Sequence, residues 1–185
     1  MQKQSLRIII IAAIVFIAAL SRIIPHPMNV APLGAMALFG SAYFGNRGLG
    51  LLITMIAWFV GDLMVNNLIY PASGFTLFTS GAFFIYTSIV LIYVFGALMF
   101  RKSVSPPKVI GASISVSILF FVVSNFGVWM SGQLYPMNMP GLVACYTAAV
   151  PFFQNTLLGD LVYSGLLFLI YDRIFLSQLA SQKVK

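Results

Sequence analysis

Six apolar runs divide this chain, and its few charged residues stand mostly near the ends of those runs or between them. They fall at about 6–24, 30–47, 49–69, 75–100, 109–130 and 152–175. About twenty apolar residues is what a helix needs to cross the roughly 30 Å hydrocarbon core of a bilayer. Residues of hydrophobic type make up 61% of the 185, and charged residues only 7%. A soluble fold of this size has too little polar surface to cover that much apolar area. The expected fold class is an all-α membrane protein, a compact bundle of six transmembrane helices forming a single domain over 1–185. Lys3 and Arg7 ahead of the first run resemble a signal peptide, but no convincing small-residue cleavage site follows. The first run is read as an uncleaved span.

Charge sets the expected orientation. With six spans and the N-terminus inside, Lys3, Arg7, Arg47, Arg101, Lys102, Lys108, Arg173, Lys183 and Lys185 are cytoplasmic, and Arg22 alone is outside. That bias matches the enrichment of Lys and Arg in cytoplasmic loops. The reading is a multi-pass inner-membrane protein with both termini in the cytoplasm and the lipid bilayer as its solvent. The net charge of +7 does not imply nucleic acid, because the cations are scattered between apolar runs and form no stripe. A lone cysteine, Cys145, leaves no internal disulfide.

Prolines and glycines mark the joints. Pro25-His26-Pro27 ends the first span, since proline breaks the helical ladder and disfavours helix in the residue before it. Pro32 suits the first turn of the second helix. That helix is short: either residues 45–47 complete its crossing, or it is a short span beside a water-filled cavity. Residues 70–74, with Tyr70 and Pro71, read as a turn. Residues 141–150 are too short to span and read as a short interfacial or re-entrant helix in the last outer loop.

With this topology, sequence position predicts depth. Arg22, His26, Asn29, Asp62, Asn66, Asn67, Asn125, Trp129, Gln154, Asn155 and Asp160 all fall in the outer half, and the cytoplasmic half has almost no buried polar group. Ionisable groups inside a membrane face the bundle interior, paired or wet. The pattern predicts a polar cavity opening outward above an apolar floor, with Arg22 paired to Asp62 or Asp160. Gly61 and Gly159, each preceding an aspartate, let a neighbouring helix come close. Expected substrate-binding residues are Arg22, His26, Asn29, Asp62, Asn66, Asn125, Trp129, Tyr135, Asn155 and Asp160. Plainer roles stand beside these. The Arg22 pair could only lock helix register, and His26 could only cap a helix. Asn66 and Asn67 suit the headgroup zone. Trp129, Tyr70 and Tyr135 suit an interfacial belt. Cys145 suits small-residue packing, although His26 or Cys145 could ligate a metal.

The stretch RIIPHPMNVAPLGAMALFGSAYF (22–44) resembles an uncharacterised family of small bacterial membrane proteins with the signature R-x-x-P-H-P-x-N-x-x-P-x-x-A-x-x-L-F-x-G-A-Y-F, Ser41 standing where that family has glycine. SNFGVWMSGQLYP (124–136) and CYTAAVPFFQNTLLGDL (145–161) resemble it too. That family in turn is similar to the substrate-binding S components of energy-coupling-factor vitamin transporters, and most of all to a solitary cobalamin-uptake protein of that type. The resemblance implies six helices, an outward-facing site, a vitamin-like substrate with cobalamin among the candidates, and an energising membrane module as partner. His26 and Asp62 match a histidine after the first span and an aspartate in the third. The cobalt-binding cysteine implied after the third span has no counterpart, since Thr76, Thr79 and Ser80 stand there. Ser5, Ala12 and Ala19 lie seven apart on the first helix, open to a docking module or to internal packing.

The leading functional expectation is therefore small-molecule capture or uptake, with no cofactor. A membrane-embedded metal-dependent enzyme and a structural subunit are the alternatives. No HExxH or GxSxG motif supports enzymatic chemistry, and no GxxxxGK[ST] loop is present to bind a nucleotide.

Overall fold

A computed structural model describes residues 2–69 and 74–183, with side chains over 4–69 and 74–174. Among the described residues the fold is all-helical. The elements are α1 (Gln2–Leu20) with a 3₁₀ turn at Ser21–Ile23, α2 (Leu33–Tyr43), α3 (Arg47–Met64) running into a π turn at Val65–Ile69, α4 (Ala82–Met99), α5 (Pro106–Met130) and α6 (Met139–Lys183). Gln4–Ile23, Arg47–Ile69, Ala82–Met99 and Pro106–Met130 are long and apolar enough to cross a membrane. Tyr70 and Pro71, expected in a turn, lie outside the described residues.

The short helix α2 is the centre of the bundle. It packs against α1, α3, α4, α5 and α6, and residues 33 through 41 are all buried. A helix that is apolar on every side belongs in an interior. The helix is shorter than the run expected over 30–47, and Arg47 belongs to α3. Eleven residues give about 16 Å of helix, and a helix sheathed by protein need not match the bilayer. Phe44 turns to extended backbone, and Asn46 starts α3 by accepting a hydrogen bond from Leu49 N at 3.1 Å.

The buried start of α2 needs acceptors for its free N–H groups. Pro32 is the N-cap residue and contributes no side-chain bond. The group placed to accept is Asp160 of α6, whose carboxylate lies against Gly34 and faces the backbone N–H groups of Gly34 and Ala35. Its Oδ2 also accepts from Ser117 Oγ of α5 at 2.7 Å, and the side chain is 2% exposed. A Cβ on Gly34 would collide with this carboxylate. At Gly159 a Cβ would stand 3.1 Å from Ala31 N, so glycine lets α6 lie against the segment that leads into α2. The close approach expected at Gly159 is thus present, and its consequence is a helix cap.

Two further boundaries differ from the sequence reading. The helix expected in the last outer loop is continuous with the sixth run: α6 passes through Pro151 without a break. Proline removes one hydrogen bond and crowds the preceding turn, but helices in protein or lipid surroundings tolerate it. The fourth helix begins at Ala82 rather than near 75. Asn67 holds the backbone ahead of it, donating to Thr76 O at 2.9 Å and accepting from Thr76 N at 2.8 Å. A side chain that binds backbone in this way competes with helix formation.

Asp160→Ala should lower unfolding stability in detergent by about 2–4 kcal/mol, because it strands several buried donors. Ser117→Ala should cost about 1 kcal/mol. An Asp160→Ala protein as stable as the parent would mean that α2 draws its cap from elsewhere.

Candidate functional site

At the end of the bundle where α2 begins, Arg22 and Asp62 meet. Arg22 Nη1 lies 2.7 Å from Asp62 Oδ1, and both side chains are 14% exposed. Local sequence explains the pairing. A Cβ at Gly61 would stand 3.1 Å from the Ala19 carbonyl oxygen, so glycine brings α3 onto the end of α1 and sets Asp62 beside Arg22. Ala19 is fully buried there, so this member of the α1 small-residue stripe serves internal packing. The guanidinium also stacks on Trp58, 3.8 Å from the ring centroid, an arrangement that is stronger away from water. Trp58 lies one helical turn before Asp62 on the same face.

These groups border a cavity of about 180 Å³, whose wall includes Arg22, Asn29, Gly34, Trp58, Thr156 and Asp160. A second cavity of about 280 Å³ adjoins it, sharing Asn29, Ile85, Phe120 and Thr156 and adding Ser124 and Asn125. Two buried donors near the ion pair have no acceptor among the described residues, Trp58 Nε1 and Tyr86 Oη. Trp58 Nε1 is turned towards Asp62 without closing a hydrogen bond. Tyr86 lies within electrostatic reach of both Arg22 and Asp62. Most buried polar atoms in proteins are paired, so two unpaired donors beside one charged pair mark this region.

The loop 24–32 forms one wall. Asn29 has φ +65°, a left-handed conformation that asparagine tolerates better than most residues. Asn155 Nδ2 fastens the loop by donating to Met28 O at 2.9 Å.

The expected site residues therefore separate. Arg22, Asn29, Asn125 and Asp160 line the two cavities, and Asp62 is joined to them through its ion pair. Asp160 is engaged in capping α2, and Asn155 acts on the loop. Asn125 Nδ2 donates to Phe121 O of its own helix at 2.8 Å, which leaves its carboxamide oxygen for other partners. His26 is exposed, with Nδ1 3.0 Å from Pro27 O. Trp129 Nε1 donates to Pro136 O at 3.1 Å and so ties down the loop after α5. Tyr135 and Asn66 are partly exposed and are not among the residues lining these two cavities. Cys145 is 2% exposed, its thiol 3.5 Å from Asn125 O. Among the described residues no three His, Cys, Asp or Glu side chains are gathered as metal ligands.

Sequence reasoning missed Trp58, Tyr86 and Thr156. Trp58 and Thr156 each sit four residues before an aspartate, Asp62 and Asp160, and that spacing was the available signal. It also missed polar structure at the other end of the bundle, where Arg7 donates to Tyr171 and to the Tyr43 carbonyl oxygen, and the Tyr43 hydroxyl donates to Asp172. Buried Ser41 and Thr54 also belong to that half. The expectation of an almost apolar cytoplasmic half needs that correction.

Arg22→Ala or Asp62→Ala alone should destabilise the protein by about 2–3 kcal/mol, because each strands a mostly buried charge. The Arg22→Met/Asp62→Leu double substitution should regain most of the loss. Additive losses in this double-mutant cycle would contradict a direct pairing.

No curated protein and no solved structure matches the chain. A family model, described as a family of unknown function (DUF6580), matches residues 2–182, and the chain belongs to that family.

Proposed function

We propose that the protein is a six-span inner-membrane protein that captures a small molecule in a polar cavity opening to the outer face, as the substrate-binding component of an uptake system. The observation that carries this reading is the gathering of Arg22, Asp62, Trp58, Asn29 and Thr156 at one end of α2, around adjoining cavities of about 180 and 280 Å³. Ligand sites combine apolar walls with a few convergent polar groups. Here Ile85, Phe120 and Phe152 supply apolar wall, and Asn29, Thr156, Ser124 and Asn125 supply hydrogen-bonding groups. The distribution of basic residues supports an arrangement with both termini in the cytoplasm and this end of the bundle outward. The resemblance to S components of vitamin transporters points in the same direction. Energy for uptake would then come from a separate membrane module. The cavity dimensions favour a small vitamin-like molecule over a corrinoid such as cobalamin.

Mass spectrometry of small molecules released from gently purified protein tests this reading. A single metabolite should accompany the parent protein and fall at least tenfold in Asn29→Gly and Thr156→Val. Both substitutions change the cavity wall and leave the Arg22–Asp62 pair intact. Equal recovery from the parent and both variants would contradict the assignment.

A further inference from the structure

A larger cavity lies at the opposite end of α2. It holds about 530 Å³ between α1, the end of α2, the start of α5 and the later part of α6. Apolar side chains, among them Val109, Phe168 and Leu169, make most of its wall, and Arg7, Tyr43, Ser105 and Asp172 make a polar edge. The edge is ordered by hydrogen bonds. Arg7 Nε donates to Tyr171 Oη at 3.0 Å, and Tyr43 Oη donates to Asp172 Oδ1 at 3.0 Å. Arg7 also reaches the Tyr43 carbonyl oxygen at 3.4 Å. Its charge therefore meets neutral oxygens. The Arg22–Asp62 contact is the one ion pair among the described residues, so no described carboxylate stands within ion-pair distance of Arg7, and Asp172 at the same edge accepts from Tyr43 instead. Ser105 is the N-cap residue of α5 but makes no side-chain cap bond, which leaves its hydroxyl for another acceptor or donor.

We propose that this cavity binds an anionic membrane lipid, with one acyl chain against Val109, Phe168 and Leu169 and the phosphate of the headgroup on Arg7 and Ser105. Three features select such an occupant. Apolar walls offer water no hydrogen-bond partners, whereas an acyl chain fills them with dispersion contacts. Ile110 and Leu169 line the cavity and are each 54% exposed, so the apolar wall continues onto the outer surface of the bundle, where acyl chains would run. Arg7, outside any direct ion pair, sits at the polar edge, and Arg101, Lys102, Lys108 and Arg173 belong to the same end of the molecule and outnumber Asp172 there. Basic groups at such a position attract anionic headgroups. Gly165 opens the apolar part of the site, since a Cβ there would meet nothing within 4 Å.

Thermal unfolding of the full chain in neutral detergent tests the proposal, with added phosphatidylglycerol, phosphatidylcholine or inorganic phosphate. Phosphatidylglycerol should raise the melting temperature by several degrees, and the other two should not. Arg7→Gln keeps a donor for Tyr171 and removes the charge. Gly165→Leu fills open space and replaces a helix-weakening glycine, so it should fold. Each variant should need at least fivefold more phosphatidylglycerol for the same shift. An equal response to phosphatidylcholine would overturn the role of the anion. A response to phosphate alone would make the ligand a soluble anion rather than a lipid. No response to phosphatidylglycerol, or an undiminished response in either variant, would overturn the site.

Discussion

The carboxylate of Asp160 on the first turn of α2 is the interaction on which the rest of the arrangement depends. A helix buried along its whole length removes its first N–H groups from both water and lipid headgroups. Each unpaired N–H there would carry the full cost of a buried donor. A charged acceptor aligned with the positive end of the helix dipole meets the need well. Ser117 donates to the same carboxylate at 2.7 Å, so three elements, α2, α5 and α6, are joined at one point. Gly159 and Gly34 are the steric conditions for that join.

The cap also explains where the candidate site lies. The segment 24–32 must descend from the end of α1 to the buried start of α2, and it does so beside α6, where Asn155 holds it through Met28 O. The space left between this segment, α3 and α5 is the pair of adjoining cavities. Polar groups there divide their work. Asp160 holds the bundle together, and the Arg22–Asp62 pair, stacked on Trp58, presents a charged group at the cavity wall. The Asn29 backbone, at φ +65°, is held in an uncommon conformation at the same wall, a kind of strain that tends to occur at functional positions. At the far end of α2 the hydrogen-bonded group around Arg7 and Asp172 makes a second, more apolar recess.

Much of this was legible in the sequence, because lengths of apolar runs and the position of prolines act locally. The break at Pro25–Pro27 and the pairing of Arg22 with one of two aspartates, Asp62 or Asp160, could be read before any coordinates, and the structure selects Asp62. Three things could not. Whether the second run spans lipid or lies inside protein depends on its neighbours, and only packing shows that residues 33–41 are buried on all sides. Pro151 reads as a helix boundary in isolation, yet α6 continues through it because its surroundings favour helix. Aromatic residues such as Trp58 and Tyr43 are indistinguishable from lipid-facing ones by composition. Their roles come from the Arg22 and Asp172 groups that folding brings against them. Asp160 shows the limit most clearly. A buried carboxylate beside a glycine signals that something must pair with it, and the sequence does not reveal that the partner is backbone.

The central claim, a cavity reached by water from the outer face at the start of α2, is tested most directly by thiol labelling. Thr156→Cys in a Cys145→Ser background places a single reporter on the wall shared by both cavities. A membrane-impermeant maleimide applied to spheroplasts should label it, and labelling should be slower from the cytoplasmic side of inverted vesicles. Labelling only in inverted vesicles would contradict the orientation, and no labelling from either side of otherwise reactive, folded protein would contradict an open cavity.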